Sequence, residues 1–170
     1  MINAGSSILK NYIIEHFEVC VMDAYFFPVS KYMVKKIITA TVSHTVQSVC
    51  KTMYENNIGC LVLTKRTTSG LVPVGIVTER DIVKIIGSTD LFIGQAAIRE
   101  FMSSKVVTVS ANTTLSTAID IMNAKKIRRL PITSKNKDGT EKLVGIISNR
   151  DILKAIGEIN HIPDFLEMCS

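Results

Sequence analysis

The chain has 170 residues, of which 46% are hydrophobic, 21% charged and 6% aromatic, and its net charge is +5. This length suits one ordinary domain or two very small ones, and the basic excess is compatible with a phosphate-bearing ligand, nucleic acid or an acidic partner without selecting one of them. No apolar run approaches the roughly 18 residues that a bilayer-spanning helix needs. We therefore expect no signal peptide, no membrane anchor and a cytoplasmic location.

The cysteines and histidines show no spacing typical of a metal site. No two cysteines form a CxxC pair, and most lie in apolar segments, which favours buried thiols in a reducing cytoplasm over disulfides or zinc. The histidines are isolated, which favours surface or capping positions. The residues concerned are Cys20, Cys50, Cys60, Cys169, His16, His44 and His161.

Residues 1–28 form an N-terminal extension with no counterpart elsewhere in the chain. Ile8, Tyr12 and Phe17 recur at helical spacing, which predicts a helix through about 6–18.

Residues 29–87 form the first of two similar segments, called here repeat 1. Short apolar runs between turn residues predict strands, and apolar residues at helical spacing predict a helix. The predicted elements are a strand at Lys36–Thr39, a helix carrying Val46, Val49, Cys50 and Met53, a strand at Cys60–Leu63, a hairpin loop at Arg66–Gly70, a strand at Val74–Val77 and a helix after Thr78.

Residues 88–97 form a connector, with a helix predicted around Leu91–Phe101, and residues 98–157 form repeat 2. Repeat 2 follows repeat 1 at an offset of 69 residues, which becomes 70 after a longer loop near 135–142. Its predicted elements are strands at Val106–Val109, Leu130–Thr133 and Leu143–Ile147, and a helix carrying Leu115, Ala118, Ile119 and Met122 that Asn112 or Thr113 would cap. Residues 158–170 form a C-terminal tail.

The closest match between the repeats lies at their ends. Val74–Gly87 and Val144–Gly157 are identical at nine of fourteen positions. Each reads as a strand, a sharp turn and a helix, with Thr78 or Ser148 at the N-cap position. The final glycine of each copy is expected to end its helix in the left-handed conformation.

The Thr/Ser-x-x-Asp pattern at each turn has two interpretations. In the first, Asp81 and Asp151 complete a capping box and complement the helix dipole. In the second, the turn is a ligand site, because a helix N-terminus offers N–H groups to an anion and a carboxylate can accept hydrogen bonds from the vicinal diol of a ribose. The first interpretation does not exclude the second.

Each repeat therefore has the order β-α-β-β-α in about 60 residues, a size that is marginal for independent stability. We expect an α/β (α+β) fold in which the two repeats pack sheet to sheet about a pseudo-twofold axis. This packing would leave two related clefts, each lined by parts of both repeats.

The strand order, both aspartate turns and the Ile127-Arg128-Arg129-Leu130-Pro131-Ile132 stretch resemble a tandem pair of cystathionine-β-synthase (CBS) domains, known as a Bateman module. The resemblance covers about residues 29–157. It implies a regulatory module, not an enzyme, that binds an adenosine derivative such as AMP, ADP, ATP or S-adenosylmethionine and acts on a separate effector protein. It also implies a homodimer.

The resemblance implies site residues for each cleft. In both clefts the aspartate would hold the ribose hydroxyls, the Thr or Ser and the strand before it would flank the sugar, and the start of a strand in the other repeat would border the base. Cleft A would comprise Ile38, Ile58, Gly59, Cys60, Arg129, Ile146, Ser148 and Asp151. Cleft B would comprise Val107, Ile127, Arg128, Arg129, Ile76, Thr78 and Asp81.

One difference between the repeats predicts unequal clefts. Arg129 would face the phosphates, whereas its counterpart in repeat 1 is Cys60. We expect the cleft of Asp151 to bind a phosphorylated ligand more tightly, since a guanidinium forms charge-assisted hydrogen bonds to phosphate. Solvated arginines at 128 and 129 are the alternative.

Other function classes remain open at this point. The basic charge would allow nucleic-acid binding, although the chain has no recognised nucleic-acid motif and few aromatic residues for base stacking. A purely structural or interaction module without a small ligand is a further alternative. An enzyme is disfavoured because no nucleophile and base are paired in the sequence.

Overall fold

The computed structural model describes residues 26–88, 93–136 and 139–160, with side chains as far as Ile156. The predicted N-terminal helix, Cys20, Cys169, His16, His161 and the tail beyond 160 lie outside these ranges. Within the described residues, no helix combines the length and the apolar character needed to cross a membrane.

Repeat 1 forms a three-stranded sheet with two helices. β1 runs parallel to β2, and β2 runs antiparallel to β3, with a bulge between Leu63 and Thr64. The elements are β1 (Thr39–Ala40), α1 (Val46–Glu55), β2 (Cys60–Thr67), β3 (Gly70–Thr78) and α2 (Glu79–Ser88).

Repeat 2 has the same order of elements and a second three-stranded sheet, with β4 parallel to β5. Its elements are β4 (Val109–Ser110), α3 (Leu115–Lys125), β5 (Arg129–Lys135), β6 (Glu141–Ser148) and α4 (Asn149–Asn160). The predicted fold class and the β-α-β-β-α order of both repeats are confirmed.

Several predicted element ends were wrong. β1 and β4 are two residues long and begin later than predicted, while β2 and β5 extend further along their hairpins. The hairpin loop of repeat 1 is correspondingly shorter, and Gly70 closes it with φ +123°. The two helices predicted to end at Gly87 and Gly157 instead continue to Ser88 and Asn160, so neither glycine acts as a left-handed cap.

The helix predicted around 91–101 is absent from its described part, residues 93–101, which holds only a 3₁₀ turn at Ile98–Glu100. The backbone before this turn is bonded to the start of α1 instead. Val46 N–H donates to the Ala96 carbonyl at 2.9 Å, and Ile98 N–H donates to the His44 carbonyl at 2.8 Å. These bonds occupy backbone groups that a longer helix would need, and the segment before the 3₁₀ turn instead forms a turn in which Ala96 N–H donates to the Ile93 carbonyl at 2.9 Å.

The segment that leads into each repeat is bonded to the other repeat. Phe27 accepts a hydrogen bond from Leu115 N–H at 2.9 Å, just as Ala96 accepts one from α1. Further on, Val34 forms an antiparallel bridge with Ile146, and Ser103 forms the equivalent bridge with Ile76. The N–H and C=O groups of these leading segments thereby gain partners that their own repeat does not supply.

The chain divides into two compact units that do not coincide with the repeats. In described residues, one unit comprises 26–33, 111–130 and 147–160, and the other comprises 34–88, 93–110 and 131–146 except 137–138. The larger unit has a continuous apolar core: Ala40, Val46, Val49, Met53, Leu61, Leu63, Val77 and Ile98. The smaller unit buries a corresponding set: Val29, Leu115, Ala118, Met122, Leu130, Ile147, Ile152 and Ala155.

One glycine in the larger unit lies in close contact with a methionine side chain. Gly75 is buried in β3, and a Cβ atom built there would overlap the Met102 sulfur. The methionine therefore fills the space that any larger residue at 75 would need.

Candidate functional site

The turn from β3 into α2 forms a complete capping box. The carboxylate oxygen Oδ2 of Asp81 accepts the Thr78 N–H at 2.8 Å and the Thr78 hydroxyl at 2.7 Å. In return, Asp81 N–H points to the Thr78 hydroxyl oxygen at 3.4 Å. The capping interpretation of this turn is confirmed in repeat 1, and it fixes the position of the carboxylate.

The turn from β6 into α4 repeats this pattern almost unchanged. Oδ2 of Asp151 accepts the Ser148 N–H at 2.8 Å and the Ser148 hydroxyl at 2.6 Å. Asp151 N–H points to the Ser148 hydroxyl oxygen at 3.3 Å. We call the Thr78–Asp81 and Ser148–Asp151 turns corner 1 and corner 2.

In each corner the cap uses one of the two carboxylate oxygens. Within the described part of the chain, no donor reaches Oδ1 of Asp81 or Asp151. Both aspartates are half-buried. Because an ionised carboxylate has about four acceptor positions, each corner still has capacity for the hydroxyl groups of a ligand.

The backbone N–H groups at the two helix starts are less available than the ligand interpretation assumed. Glu79 N–H donates to the Gly59 carbonyl at 3.3 Å, and Asn149 N–H donates to the Arg128 carbonyl at 3.0 Å. The next amide, of Arg80 or Arg150, has no acceptor among the described residues. Of the backbone N–H groups that were expected to bind an anion at each helix start, about one therefore remains without an acceptor among the described residues.

These bonds also connect each corner to the start of a strand in its own repeat. Gly59 is bonded to the first residue of α2, and Cys60 is the register partner of Thr78. The family resemblance assigned Gly59 and Cys60 to cleft A but Thr78 to cleft B. The structure shows them adjacent within one repeat.

The residues that border the corners differ in charge and burial. Cys60 is buried, with 8% of its surface exposed, whereas Arg129 is half-buried and Arg128 is exposed. Among the described residues, the ion pair found is between Lys51 and Glu55, so neither arginine has a carboxylate partner there.

The other predicted site residues are half-buried, neither core nor fully exposed. Ile76 precedes Thr78 on β3, and Ile146 precedes Ser148 on β6, each two residues away and so on the same face of its strand. The remaining members of this group are Ile38, Ile58, Gly59, Val107 and Ile127. The complete composition of cleft A and of cleft B stays a prediction.

A hydroxyl and an imidazole meet in the turn before α1, a pairing that the sequence analysis missed. Thr41 Oγ1 lies 2.8 Å from Nδ1 of His44, and Nδ1 also accepts Thr41 N–H at 3.2 Å. Ser43 Oγ lies 2.9 Å from the same hydroxyl. Because the ring nitrogen is bonded to the backbone three residues away, His44 closes this turn, as a capping histidine does.

The two described cysteines are not in disulfides. Cys60 is buried as expected, and Cys50 is half-buried. Desolvation by burial raises the pKa of the Cys50 thiol, against the smaller opposite effect of a hydrogen bond from its own backbone. Among the described residues, no three His, Cys, Asp or Glu side chains are grouped so that they could hold a metal ion.

Comparison with known proteins gives matches over both repeats. The family model of the CBS domain matches residues 29–88 and 98–158. The uncharacterized protein MK0525 of Methanopyrus kandleri is 33% identical over 120 residues, which are 71% of this chain and 58% of that protein. The chain thus spans less than two thirds of the length of this relative.

Two solved structures share the fold. The CBS domain pair of protein MJ0100, in complex with 5′-methylthioadenosine and S-adenosyl-L-methionine, has a TM-score of 0.67 at 22% identity and covers 78% of this chain and 98% of its own. CBSX2 in complex with AMP has a TM-score of 0.63 at 22% identity and covers 79% of this chain and 99% of its own.

The match of the family model to most of the chain agrees with the two sheets and the duplicated corners. The chain belongs to the CBS domain family and carries two CBS domains in tandem.

Proposed function

We propose that the chain is a regulatory module that binds an adenosine derivative at its aspartate corners. Ligand binding then changes how the module acts on a separate effector protein. The ligand is AMP, ADP, ATP or S-adenosylmethionine. The observation that carries this proposal is that Oδ1 of each corner aspartate accepts no hydrogen bond from the described residues. A carboxylate already fixed by its cap can receive a ribose diol without a further loss of side-chain conformational freedom.

Arg129 supports a phosphorylated ligand at corner 2. The carbonyl of Arg128 is bonded to the first amide of α4, which holds the start of β5 beside the Ser148–Asp151 turn. Arg129 follows directly and has no carboxylate partner among the described residues. We therefore assign Arg129 the role of phosphate contact and expect AMP to bind corner 2 more tightly than corner 1.

The assignment of the remaining residues follows the family. We propose that the half-buried apolar residues of cleft A and cleft B border the base and the sugar. Two proteins of the same fold were solved with adenosine ligands, which makes such ligands the first to test. Coupling to an effector is limited by the difference in ligand affinity between the two states of the module.

The proposal also includes self-association as a homodimer. Three large apolar side chains on α2 and α4 are exposed to 63–70%: Val83, Ile86 and Leu153. Exposed apolar side chains on neighbouring helix turns are typical of an interaction surface.

Ligand binding is tested by thermal melting of the full chain with AMP, ADP, ATP, S-adenosylmethionine and NAD. A ligand at 100 times its Kd adds about 2.7 kcal/mol to the free energy of unfolding. We expect one of these adenosine compounds to raise the Tm. The proposal is wrong if none does at millimolar concentration.

The role of the diol is tested by comparing AMP with 2′-deoxy-AMP, which lacks one of the two hydroxyls. A hydrogen bond to a carboxylate is worth about 1.5–3 kcal/mol, so we expect 2′-deoxy-AMP to bind at least about tenfold more weakly. Asp120→Ala, which removes an exposed aspartate on α3 outside both corners, should leave this difference between the nucleotides unchanged. Equal affinity for the two nucleotides would contradict the assignment.

The proposal assigns no reaction to the chain. Prolonged incubation with ATP, followed by measurement of released phosphate, should show no turnover above a protein-free blank. Turnover that Thr41→Val abolished would instead make the Thr41–His44 pair a candidate for catalysis.

A further inference from the structure

Five cationic side chains lie close together in repeat 2, where α3 ends and β5 begins. The Arg128 carbonyl accepts the Asn149 N–H at 3.0 Å, so residues 125–129 lie beside the first residues of α4. All five belong to the smaller of the two compact units. We call this set the basic patch, and its members are Lys125, Lys126, Arg128, Arg129 and Arg150.

The basic patch is open to solvent. Four of its five side chains are exposed, and Arg129 is half-buried. None of the five forms an ion pair with a carboxylate of the described residues. Asp151, the acidic residue beside the patch, uses one carboxylate oxygen to cap α4. Five cations beside one carboxylate leave this surface with a net positive charge.

Repeat 1 provides an internal comparison, because the same backbone arrangement carries a different charge there. Positions 125–129 and 149–151 hold five cations and one carboxylate, whereas the equivalent positions 56–60 and 79–81 hold one cation and two carboxylates. The backbone bond between the two stretches is retained, since Glu79 N–H donates to the Gly59 carbonyl. The fold of a repeat therefore does not require the cations of repeat 2.

The local backbone does not explain the lysines at the end of α3. Lys126 is left-handed with φ 54°, as its counterpart Asn57 is with φ 50°, and asparagine tolerates this conformation better than lysine. The helix dipole favours a basic residue at a helix C-terminus, but α1 has none in its last turn. The binding of an anion gives the lysines a role that the fold does not.

We propose that the basic patch binds the phosphate backbone of duplex nucleic acid without reading its sequence. This inference goes beyond the proposed nucleotide function and does not depend on it. A duplex carries one negative charge for about every 1.7 Å of its axis. Interfaces with nucleic acid are accordingly more polar and much more positive than those between proteins.

The residues around the basic patch favour a duplex over the other anionic partners. Residues 123–130 and 147–156 include no aromatic side chain. Single strands bind largely by stacking their bases on aromatic side chains, and the core of a protein–protein interface is enriched in aromatic residues and depleted of lysine. Contacts to the phosphates of a duplex need only the exposed cations.

The salt dependence of binding tests the proposal. Fluorescence anisotropy with a short labelled DNA duplex of arbitrary sequence gives the Kd of the full chain at several salt concentrations. The logarithm of the binding constant falls with the logarithm of salt concentration by about 0.9 for each phosphate contacted. The four exposed cations therefore predict a slope of about −3 to −4. Absence of binding at low salt, or a slope near zero, would overturn the inference.

A double variant locates the binding surface. Lys125→Asn with Lys126→Asn introduces the asparagines that repeat 1 has at these positions, and both sites are exposed. We expect affinity for the duplex to fall about tenfold and the salt slope to become about 2 smaller in magnitude. The matched control, Lys65→Asn with Arg66→Asn, removes two exposed cations from β2. An equal loss in the control would mean that net charge alone binds the duplex, against the inference.

Vesicles of anionic phospholipid and polyglutamate distinguish nucleic acid from a membrane surface and an acidic protein. The duplex should bind more tightly than either probe at the same salt concentration. Membrane binding additionally requires apolar side chains that enter the lipid. Tighter binding to the vesicles or to polyglutamate that the double variant lost would assign the basic patch to that partner and overturn the inference.

Thermal melting separates this inference from the proposed ligand function. The double variant keeps Arg129 and both corner aspartates, so AMP should raise its Tm as it does for the unchanged chain, which also shows that the variant is folded. A chain that AMP stabilises but that binds no duplex at low salt would remove this inference alone. Duplex binding through the patch without stabilisation by any adenosine compound would instead remove the proposed ligand function alone.

Discussion

Corner 1 and corner 2 hold their aspartates with the same three hydrogen bonds, and the corresponding distances agree within 0.1 Å. The strand starts beside them differ, because repeat 1 places buried Cys60 where repeat 2 places half-buried Arg129. The comparison teaches that the capping box determines where the carboxylate lies. The first side chain of the neighbouring strand determines the charge beside that carboxylate.

The largest expected effect is the loss of stability when a core leucine is shortened, and it should be equal in the two repeats. Leu61 and Leu130 occupy equivalent positions and are fully buried. We expect Leu61→Ala and Leu130→Ala each to lower the free energy of unfolding by about 2–5 kcal/mol, through lost burial and the cavity that remains. Chemical denaturation measures both. A loss below about 1 kcal/mol in one variant alone would show that the repeats are not equally packed.

The next largest effect, on AMP affinity, should distinguish corner 2 from corner 1. Arg129→Ala should lower AMP affinity about tenfold or more, because a charged hydrogen bond to phosphate is worth about 1.5–3 kcal/mol. The affinity for adenosine, which has no phosphate, should change much less. Calorimetric titration measures both ligands, with Arg99→Ala as the exposed arginine control. An equal loss for adenosine and AMP would exclude a phosphate contact.

Removal of each aspartate should have equal effects on stability and unequal effects on binding. Without ligand, Asp81→Ala and Asp151→Ala should each lower the free energy of unfolding by about 1–2 kcal/mol, since each loses a cap and a favourable charge at the helix N-terminus. With AMP, the larger loss of affinity should follow Asp151→Ala. A larger loss from Asp81→Ala would reverse the proposed ranking of the corners.

The smallest expected effect is on stability and tests the N-cap of α3, which the sequence analysis assigned to the wrong residue. Thr114, not Asn112 or Thr113, caps α3, and its hydroxyl oxygen accepts Thr117 N–H at 3.2 Å. Thr114→Ala should lower the free energy of unfolding by about 1 kcal/mol. The neighbouring Thr113→Ala is the matched control and should cost clearly less in the same thermal melts. A greater cost at 113 would contradict the observed cap.

The wrong assignment of this cap shows what a local sequence pattern leaves undecided. Asn112, Thr113 and Thr114 are all residue types that cap helices, so composition alone does not rank them. The repeat offset could have done so, because Thr45 caps α1 and corresponds to Thr114. In the folded chain the leading segment bonds to the backbone on both sides of Thr114, since Val29 N–H donates to the Thr113 carbonyl at 2.7 Å and Leu115 N–H donates to the Phe27 carbonyl at 2.9 Å.

The corners were predictable because their hydrogen bonds join residues only three positions apart. Thr78 and Asp81 meet across one helical turn whatever the rest of the chain does. The hydrogen bond from Glu79 N–H to the Gly59 carbonyl was not predictable in this way, because it joins the first residue of α2 to a residue before β2 that is distant along the chain. The smaller number of N–H groups available to an anion at each helix start was therefore seen only in the structure.

By itself the sequence determined the duplication, the order of strands and helices, and the two capping boxes, since all of these follow from local spacing and apolar periodicity. The tertiary structure alone decided that the segment before each repeat bonds to the other repeat. It also decided that residues 93–101 form no α-helix. The physical reason is that these outcomes depend on backbone hydrogen-bond partners and packing surfaces distant along the chain, which no local pattern specifies.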